Sequence, residues 1–336
     1  MEKIKLGIIG LDSTSLWYVN TIQQFVPDAE LIAASSKNLE ELELVETDYG
    51  IKQNYVDFRD MISLHELDGV IIASNPLQRV RQALESLDKG LHVLLVTPIA
   101  FNVTDSEKLI KKAARYPNQL VMAAMFKRFL PIVQEAKTAI KAGEIGDIVS
   151  ILTDSKFIRQ KSTQEERNTS ESGSAFMDFG IQDIDIIRYL TGHEFLQAYA
   201  LSQSITADRK SDPADFEIVR ASGKLSGDIV FDTQITIAES GSHYYQIKVK
   251  GTKGVLRLED PGWKLYRENQ KGIEILGSQS FHAQYQTALT QQIKVFCEAV
   301  RNSGKSPVRI EDAREAIKVS VALSKSLALN ELIEIS

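Results

Sequence analysis

The chain has 336 residues, 43% of them hydrophobic and 25% charged, with a formal net charge of −6. That length exceeds the roughly 250 to 300 residues at which a single core stops growing, so two domains are expected, and the ordinary composition excludes disordered and fibrous classes. The negative charge, with no Lys/Arg block interleaved with aromatics, argues against a nucleic-acid partner. No apolar run approaches membrane-spanning length and no charged-then-apolar leader opens the sequence, so it reads as cytoplasmic with no membrane partner. The single cysteine, Cys297, lies in an apolar helical run and reads as a buried, inert thiol.

Strand-like and helix-like runs alternate through the first third. Residues 5–9 read as a buried strand, 15–25 as helix, 30–34 as strand, 39–49 as helix and 53–56 as a short extended element. Strands at 69–73, 92–96 and 120–125 then alternate with helices at 79–89 and 104–116. Such alternation forces parallel strands with crossover helices, a doubly wound sheet. From about residue 150 longer strands follow, at 148–157, 195–201, 215–221, 227–238, 244–250 and 254–259. Turn signals at Ala221-Ser222-Gly223-Lys224 and Lys250-Gly251-Thr252-Lys253 make this second sheet antiparallel or mixed. A helix at 175–190 interrupts it, and amphipathic helices at 285–301 and 310–330 close the chain. The fold class is therefore α/β, with a Rossmann-type domain over 1–121 and, over 122–336, a second α/β domain built on an open, mostly antiparallel sheet. A broad open sheet face must be buried somewhere, so a homodimer is expected.

Several landmarks recur in a specific order: Lys5-Leu6-Gly7-Ile8-Ile9-Gly10, then Leu67-Asp68-Gly69-Val70-Ile71-Ile72-Ala73-Ser74, then Gly90 through Thr97-Pro98, then Phe126-Lys127-Arg128-Phe129-Leu130-Pro131, and finally Gly173 through Asp178-Phe179-Gly180. Together they resemble the Gfo/Idh/MocA oxidoreductases over essentially the whole chain. The resemblance implies a Rossmann domain, a substrate domain on an open sheet, and a cleft for nicotinamide and a sugar-like or polyol ligand.

The positions that should carry chemistry depart from that pattern. A dinucleotide fingerprint uses three glycines, for a tight turn, for close approach of backbone to pyrophosphate and for helix packing. Here Gly10-Leu11-Asp12-Ser13-Thr14-Ser15 keeps only the first, and Asp12 sets a carboxylate where the pyrophosphate approaches the helix. Asp12 or Ser13 also reads as an ordinary N-cap. Ser36 and Lys37, after the second strand, suit the 2′-phosphate of NADP rather than NAD, or form a solvated turn. Ser74, Asn75 and Pro98 complete the expected cofactor set.

In the family, proton transfer falls to the Lys of a Glu-Lys-Pro turn and to a His one helical turn after an Asp. Here Thr97 and Gln182 stand at those positions, Val96 replaces the Glu, and Asp178 persists. Arg79 stands at the His of the family's Pro-Asn-x-x-His loop, and Phe126 at its nicotinamide-side Asn. Neither threonine nor glutamine titrates near neutral pH. Asp178, Gln182 and Asp185 share one helical face at i, i+4 and i+7, with Asp178 a base or a helix-start carboxylate. Lys127, Lys156 and Arg159 are cations that either receive an anionic ligand or stand in solvent. The five histidines show no metal-ligand spacing, and no metal is expected. Three functions stay open: a polyol-binding homologue with dehydrogenase chemistry lost, an active NADP-dependent polyol oxidoreductase using Asp178, and chemistry without a dinucleotide.

Overall fold

In the computed structural model of the chain, the described residues are 2–158, 174–203, 218–238, 243–259, 264–269, 272–278 and 281–335. They form two compact units, residues 1–126 with 286–315, and residues 127–285 with 316–336.

Unit 1 contains strands β1 (Ile4–Ile9), β2 (Ala29–Ser35), β3 (Gln53–Tyr55), β4 (Gly69–Ile72), β5 (His92–Val96) and β6 (Val121–Ala124). They pair in the order β3-β2-β1-β4-β5-β6, and every pairing is parallel. The intervening helices are α1 (Ser13–Phe25), α2 (Leu39–Tyr49), α3 (Phe58–Met61), α4 (Pro76–Asp88) and α5 (Val103–Ala113). Helices on both faces explain why β4 and β5 read as unbroken apolar runs: Val70, Ile71, Leu94 and Leu95 are all fully buried. Helix α4 starts three residues earlier than periodicity suggests, because Asn75 caps it and Pro76 supplies a preset first turn.

The chain returns to this unit near its end. Helices α6 (Pro131–Lys141), α7 (Ala175–Asp178) and α8 (Ile181–Thr191) belong to unit 2, whereas α9 (Phe281–Arg301) and α10 (Ile310–Leu329) contribute to both. Tyr18 donates its hydroxyl to Gln292 Oε1 at 3.0 Å, Gln286 Nε2 donates to Thr21 Oγ1 at 3.0 Å, and the Ala123 N–H donates to the Val308 carbonyl at 3.2 Å. Residues 286–315 therefore complete the first unit, which a single cut between 121 and 122 assigns to the second. The buried Cys297 belongs to this returning segment, and burial pushes its thiol up to about 12.

Unit 2 is built on β7 (Ile148–Ile158), β8 (Phe195–Gln203), β9 (Ile218–Leu225), β10 (Val230–Ala238), β11 (Tyr244–Gly251), β12 (Gly254–Glu259), β13 (Lys264–Asn269), β14 (Gly272–Ser278) and β15 (Ile333–Glu334). They form one sheet in the order β14-β13-β12-β11-β7-β10-β9-β8-β15, antiparallel except for β7 with β10. Residues 221–224, read as a turn, are strand: a Cβ on Gly223 would meet the Gln197 carbonyl oxygen at 2.0 Å, so the glycine serves close strand approach. The reversal lies later, at Gly227 and Asp228, which both adopt positive φ. Strands β13 and β14 escape the sequence reading because their alternation is masked by charge, with Leu265 fully buried among Lys264, Arg267 and Glu268.

Candidate functional site

The carboxyl ends of β1, β2 and β4 open on a cavity of about 800 Å³, at the point where the strand order reverses. Gly10, Asp12, Ser36, Lys37, Ser74 and Asn75 all line it. Ser13 and Thr14 are the first residues of α1. Gly10 has φ +89°, and a Cβ there would lie 2.6 Å from the Ser74 backbone nitrogen, so the tight turn of the fingerprint is retained.

The next requirement is not met. Asp12 caps α1, its Oδ1 accepting from the Ser15 N–H at 2.9 Å and the Ser15 hydroxyl at 2.8 Å. A helix N-terminus attracts anions through its free N–H groups and dipole, and here a carboxylate of the chain itself already occupies that end. The residues present fit the turn of a dinucleotide site but do not fit a diphosphate at the helix end.

Farther along the cavity, Ser36 Oγ donates to Glu41 Oε2 at 2.5 Å and accepts from the Asn38 N–H at 3.1 Å. Lys37 is exposed. Arg59 donates to Glu85 at 2.7 and 3.2 Å and to Asp57 at 3.4 Å, and its guanidinium lies 5.2 Å from the Phe58 ring centroid. Arg79 is buried. It donates to the carbonyls of Ser74 at 2.6 Å, Val96 at 3.0 Å and Pro98 at 2.7 Å, tying the end of β4 to the cis Thr97-Pro98 turn after β5. Thr97 is half-buried, with its hydroxyl 3.5 Å from the Ala124 carbonyl.

In unit 2, a single 3-10 turn at Phe126–Phe129 presents Lys127 and Arg128 to α8. Lys127 Nζ pairs with Asp183 Oδ1 and sits 3.7 Å from the Tyr245 ring centroid, while Ser155 Oγ donates to Asp183 Oδ2 at 2.6 Å. Arg128 forks onto Asp185, Nε to Oδ2 at 2.7 Å and Nη2 to Oδ1 at 2.5 Å. Burial lowers the Lys127 ammonium, opposed in part by Asp183, and the same burial holds the Tyr245 phenol well above its ordinary range. Lys127 is thus a buried partner of Asp183, not an open cation for a ligand.

Two further expectations change. Asp178 ends α7 and Gln182 lies in the first turn of α8, both half-buried, but the helices are separate, broken at Phe179 and Gly180. A Cβ on Gly180 would meet Ile235 Cδ1 at 2.6 Å and the Phe176 carbonyl oxygen at 2.9 Å, so the break is held by close packing. Asp185 turns into the core and does not share a ligand face with them. Lys156 follows Ser155, whose hydroxyl reaches α8. Strand alternation therefore sends Lys156 to the opposite face, away from Asp178. Arg159 lies outside the described residues.

Sequence reasoning did not single out Asp183, Ser155, Tyr245 or Glu41. A signal existed for Asp183: two carboxylates inside the apolar run Ile181 to Ile187 match the adjacent cations Lys127-Arg128 in number and sign. Among the described residues, no group of three His, Cys, Asp or Glu is placed to hold a metal ion, and no helix is long and apolar enough to cross a membrane.

A doubly wound unit with a crevice at its strand reversal, followed by a mixed nine-stranded sheet, defines a dinucleotide-type α/β protein with a second domain. Residues 4–124 match the oxidoreductase family's NAD-binding Rossmann fold and residues 137–334 its C-terminal alpha/beta domain, so the chain belongs to the Gfo/Idh/MocA oxidoreductase family. It is 21% identical over 329 residues to the scyllo-inositol 2-dehydrogenase (NAD(+)) of Bacillus subtilis, covering 97% of this chain and 94% of that one. A solved myo-inositol 2-dehydrogenase from Lactobacillus plantarum superposes with a TM-score of 0.90 at 24% identity, covering all of both chains. A scyllo-inositol dehydrogenase from Lactobacillus casei, solved with NAD(H) and scyllo-inositol, gives 0.87 at 25% identity over 99% of each.

Proposed function

We propose that this chain is a polyol-binding member of its family in which dehydrogenase chemistry is lost. The observation that carries the reading is the Asp12 carboxylate on the N-terminus of α1, with Ser15 N–H and Oγ already donated to it. A diphosphate brought there meets a like charge and a helix end already capped. The positions that move the hydroxyl proton in the family hold Thr97, in unit 1, and Gln182, in unit 2, and neither side chain titrates near neutral pH. Asp178 then serves as an acceptor for a ligand hydroxyl. The relatives named for inositols point to a cyclic polyol as the ligand class. A cytoplasmic homodimer, joined through the open face of the large sheet, completes the reading.

The test is calorimetric titration with NADH, NADPH, scyllo-inositol and myo-inositol, on the unaltered protein, Asp12→Gly and Asp12→Gly/Ser15→Gly. The unaltered protein is expected to bind an inositol and neither dinucleotide, and the glycine variants to gain dinucleotide affinity by roughly tenfold or more, about 1.4 kcal/mol. Glycine is itself a fair N-cap, costing only a few tenths of a kcal/mol, so the fold survives the change. Micromolar dinucleotide binding by the unaltered protein, with inositol-dependent reduction of NAD or NADP, would sink the reading.

A further inference from the structure

We infer that the unit 1 cavity selects a ribonucleoside whose ribose carries free vicinal hydroxyls, and that Glu41 is the residue that reads them. In open parallel sheets an acid near the end of the second strand accepts the ribose hydroxyls, while a small polar and basic pair there suits a 2′-phosphate. Ser36 and Lys37 look by type like the second arrangement. The side-chain geometry makes the first. Glu41, from the first turn of α2, lines the cavity and its Oε2 takes the proton of the Ser36 hydroxyl at 2.5 Å. The Ser36 oxygen also accepts the Asn38 N–H at 3.1 Å. The serine is therefore committed on both sides and has no proton to give a phosphate.

Glu41 Oε1 accepts no hydrogen bond from the described residues, and an ionised carboxylate is an acceptor only. Two vicinal hydroxyls offer it donors. A 2′-phosphate offers none and sets negative charge beside it. The neighbouring cations do not reverse this balance: Arg59 is already held by Glu85 and Asp57, and Arg81 Nε donates to Glu85 at 3.0 Å. Lys37, exposed, shares its turn with the Ser36–Glu41 bond.

The inference rests on the proposed function in one respect: the end of α1 refuses a diphosphate, so the cavity is probed with nucleosides. The full-length protein is titrated calorimetrically with adenosine and with adenosine 2′-monophosphate, alongside Glu41→Gln and Ser36→Ala, with thermal melts to verify folding. Adenosine is expected to bind roughly tenfold or more tightly than the 2′-monophosphate. Glu41→Gln abolishes that preference, and Ser36→Ala, which frees the second carboxylate oxygen without removing the charge, keeps or widens it. Equal or tighter binding of the 2′-monophosphate, a preference that survives Glu41→Gln, or no adenosine binding to the unaltered protein each overturns the inference. Should Glu41→Gln fail to fold, the ratio in the unaltered protein and in Ser36→Ala decides. Failure of adenosine with both dinucleotides refused removes Glu41 alone, whereas tight dinucleotide binding removes the proposed function and leaves Glu41 to be judged on NADH against NADPH.

Discussion

Around the unit 1 cavity, Arg59 reaches Glu85 and Asp57 with 48% of its side chain exposed, whereas in unit 2 Lys127 and Arg128 meet Asp183 and Asp185 whose side chains are wholly buried. Both are networks of paired opposite charges, yet water reaches only one. The exposed set can give up a partner and let solvent take its place. The buried set cannot, because each charge was stripped of water to enter the core and depends on its partner. The difference separates a surface that can rearrange around a ligand from a fixture that sets where α8, and with it Gln182, stands.

Asp185→Asn is the strongest way to break the comparison. It removes the carboxylate onto which the buried Arg128 guanidinium forks, and a loss of about 3–5 kcal/mol is expected in urea denaturation. A loss well below 1 kcal/mol would place this pair with the exposed ones.

His92 lies between the extremes, half-buried, its Nδ1 accepting the Leu120 N–H at 2.9 Å. Burial lowers its value from the ordinary 6.5, against a smaller opposing effect of Asp68. A base held below its unfolded value leaves stability intact above that value and costs stability as pH falls from there toward the folded value, since only the unfolded chain takes up the proton. Stability should therefore decline as the pH drops below about 6.5, by no more than about 1.4 kcal/mol per pH unit for one proton. His92→Gln, which keeps an acceptor for Leu120, should flatten that part of the pH–stability curve. An unchanged curve would mean that His92 does not govern it.

The smallest effect is expected at the exposed network. Glu85→Gln removes the shared partner of Arg59 and Arg81, and the melting temperature should stay within experimental error. A large drop would show that the cavity wall is as fixed as the core pairs.

Much of the fold was legible because its signals are local. The apolar runs of β4 and β5 and the glycine of the first turn are each specified by residues a few positions apart. The Asp12 cap was also readable, as a carboxylate ahead of a helix, though as one of two candidates. What escaped depended on distance or on parity. Gly223 looks like a turn until Gln197 is brought against it, and Lys156 looks like a site residue until Ser155 fixes which face each occupies. Lys127 reads as a free cation because nothing nearby in sequence reveals Asp183. Glu41 reads as one acid among several on α2, and only the turn at Ser36 singles it out.

The returning segment has a consequence for how the protein is made. When residues 1–126 leave the ribosome, Tyr18 lacks Gln292 and the Ala123 N–H lacks the Val308 carbonyl. Unit 2 waits as well, since Ile333 pairs with Ala198 only when the last strand emerges. Unit 1 cannot finish until residues 286–315 are made, nor unit 2 until residues 316–336 follow them, and the long closures involved slow folding rather than weaken the product. A gene cut after residue 126 would therefore keep all six strands but lack residues 286–315 that pack on them, and would not yield a portable nucleotide-binding module.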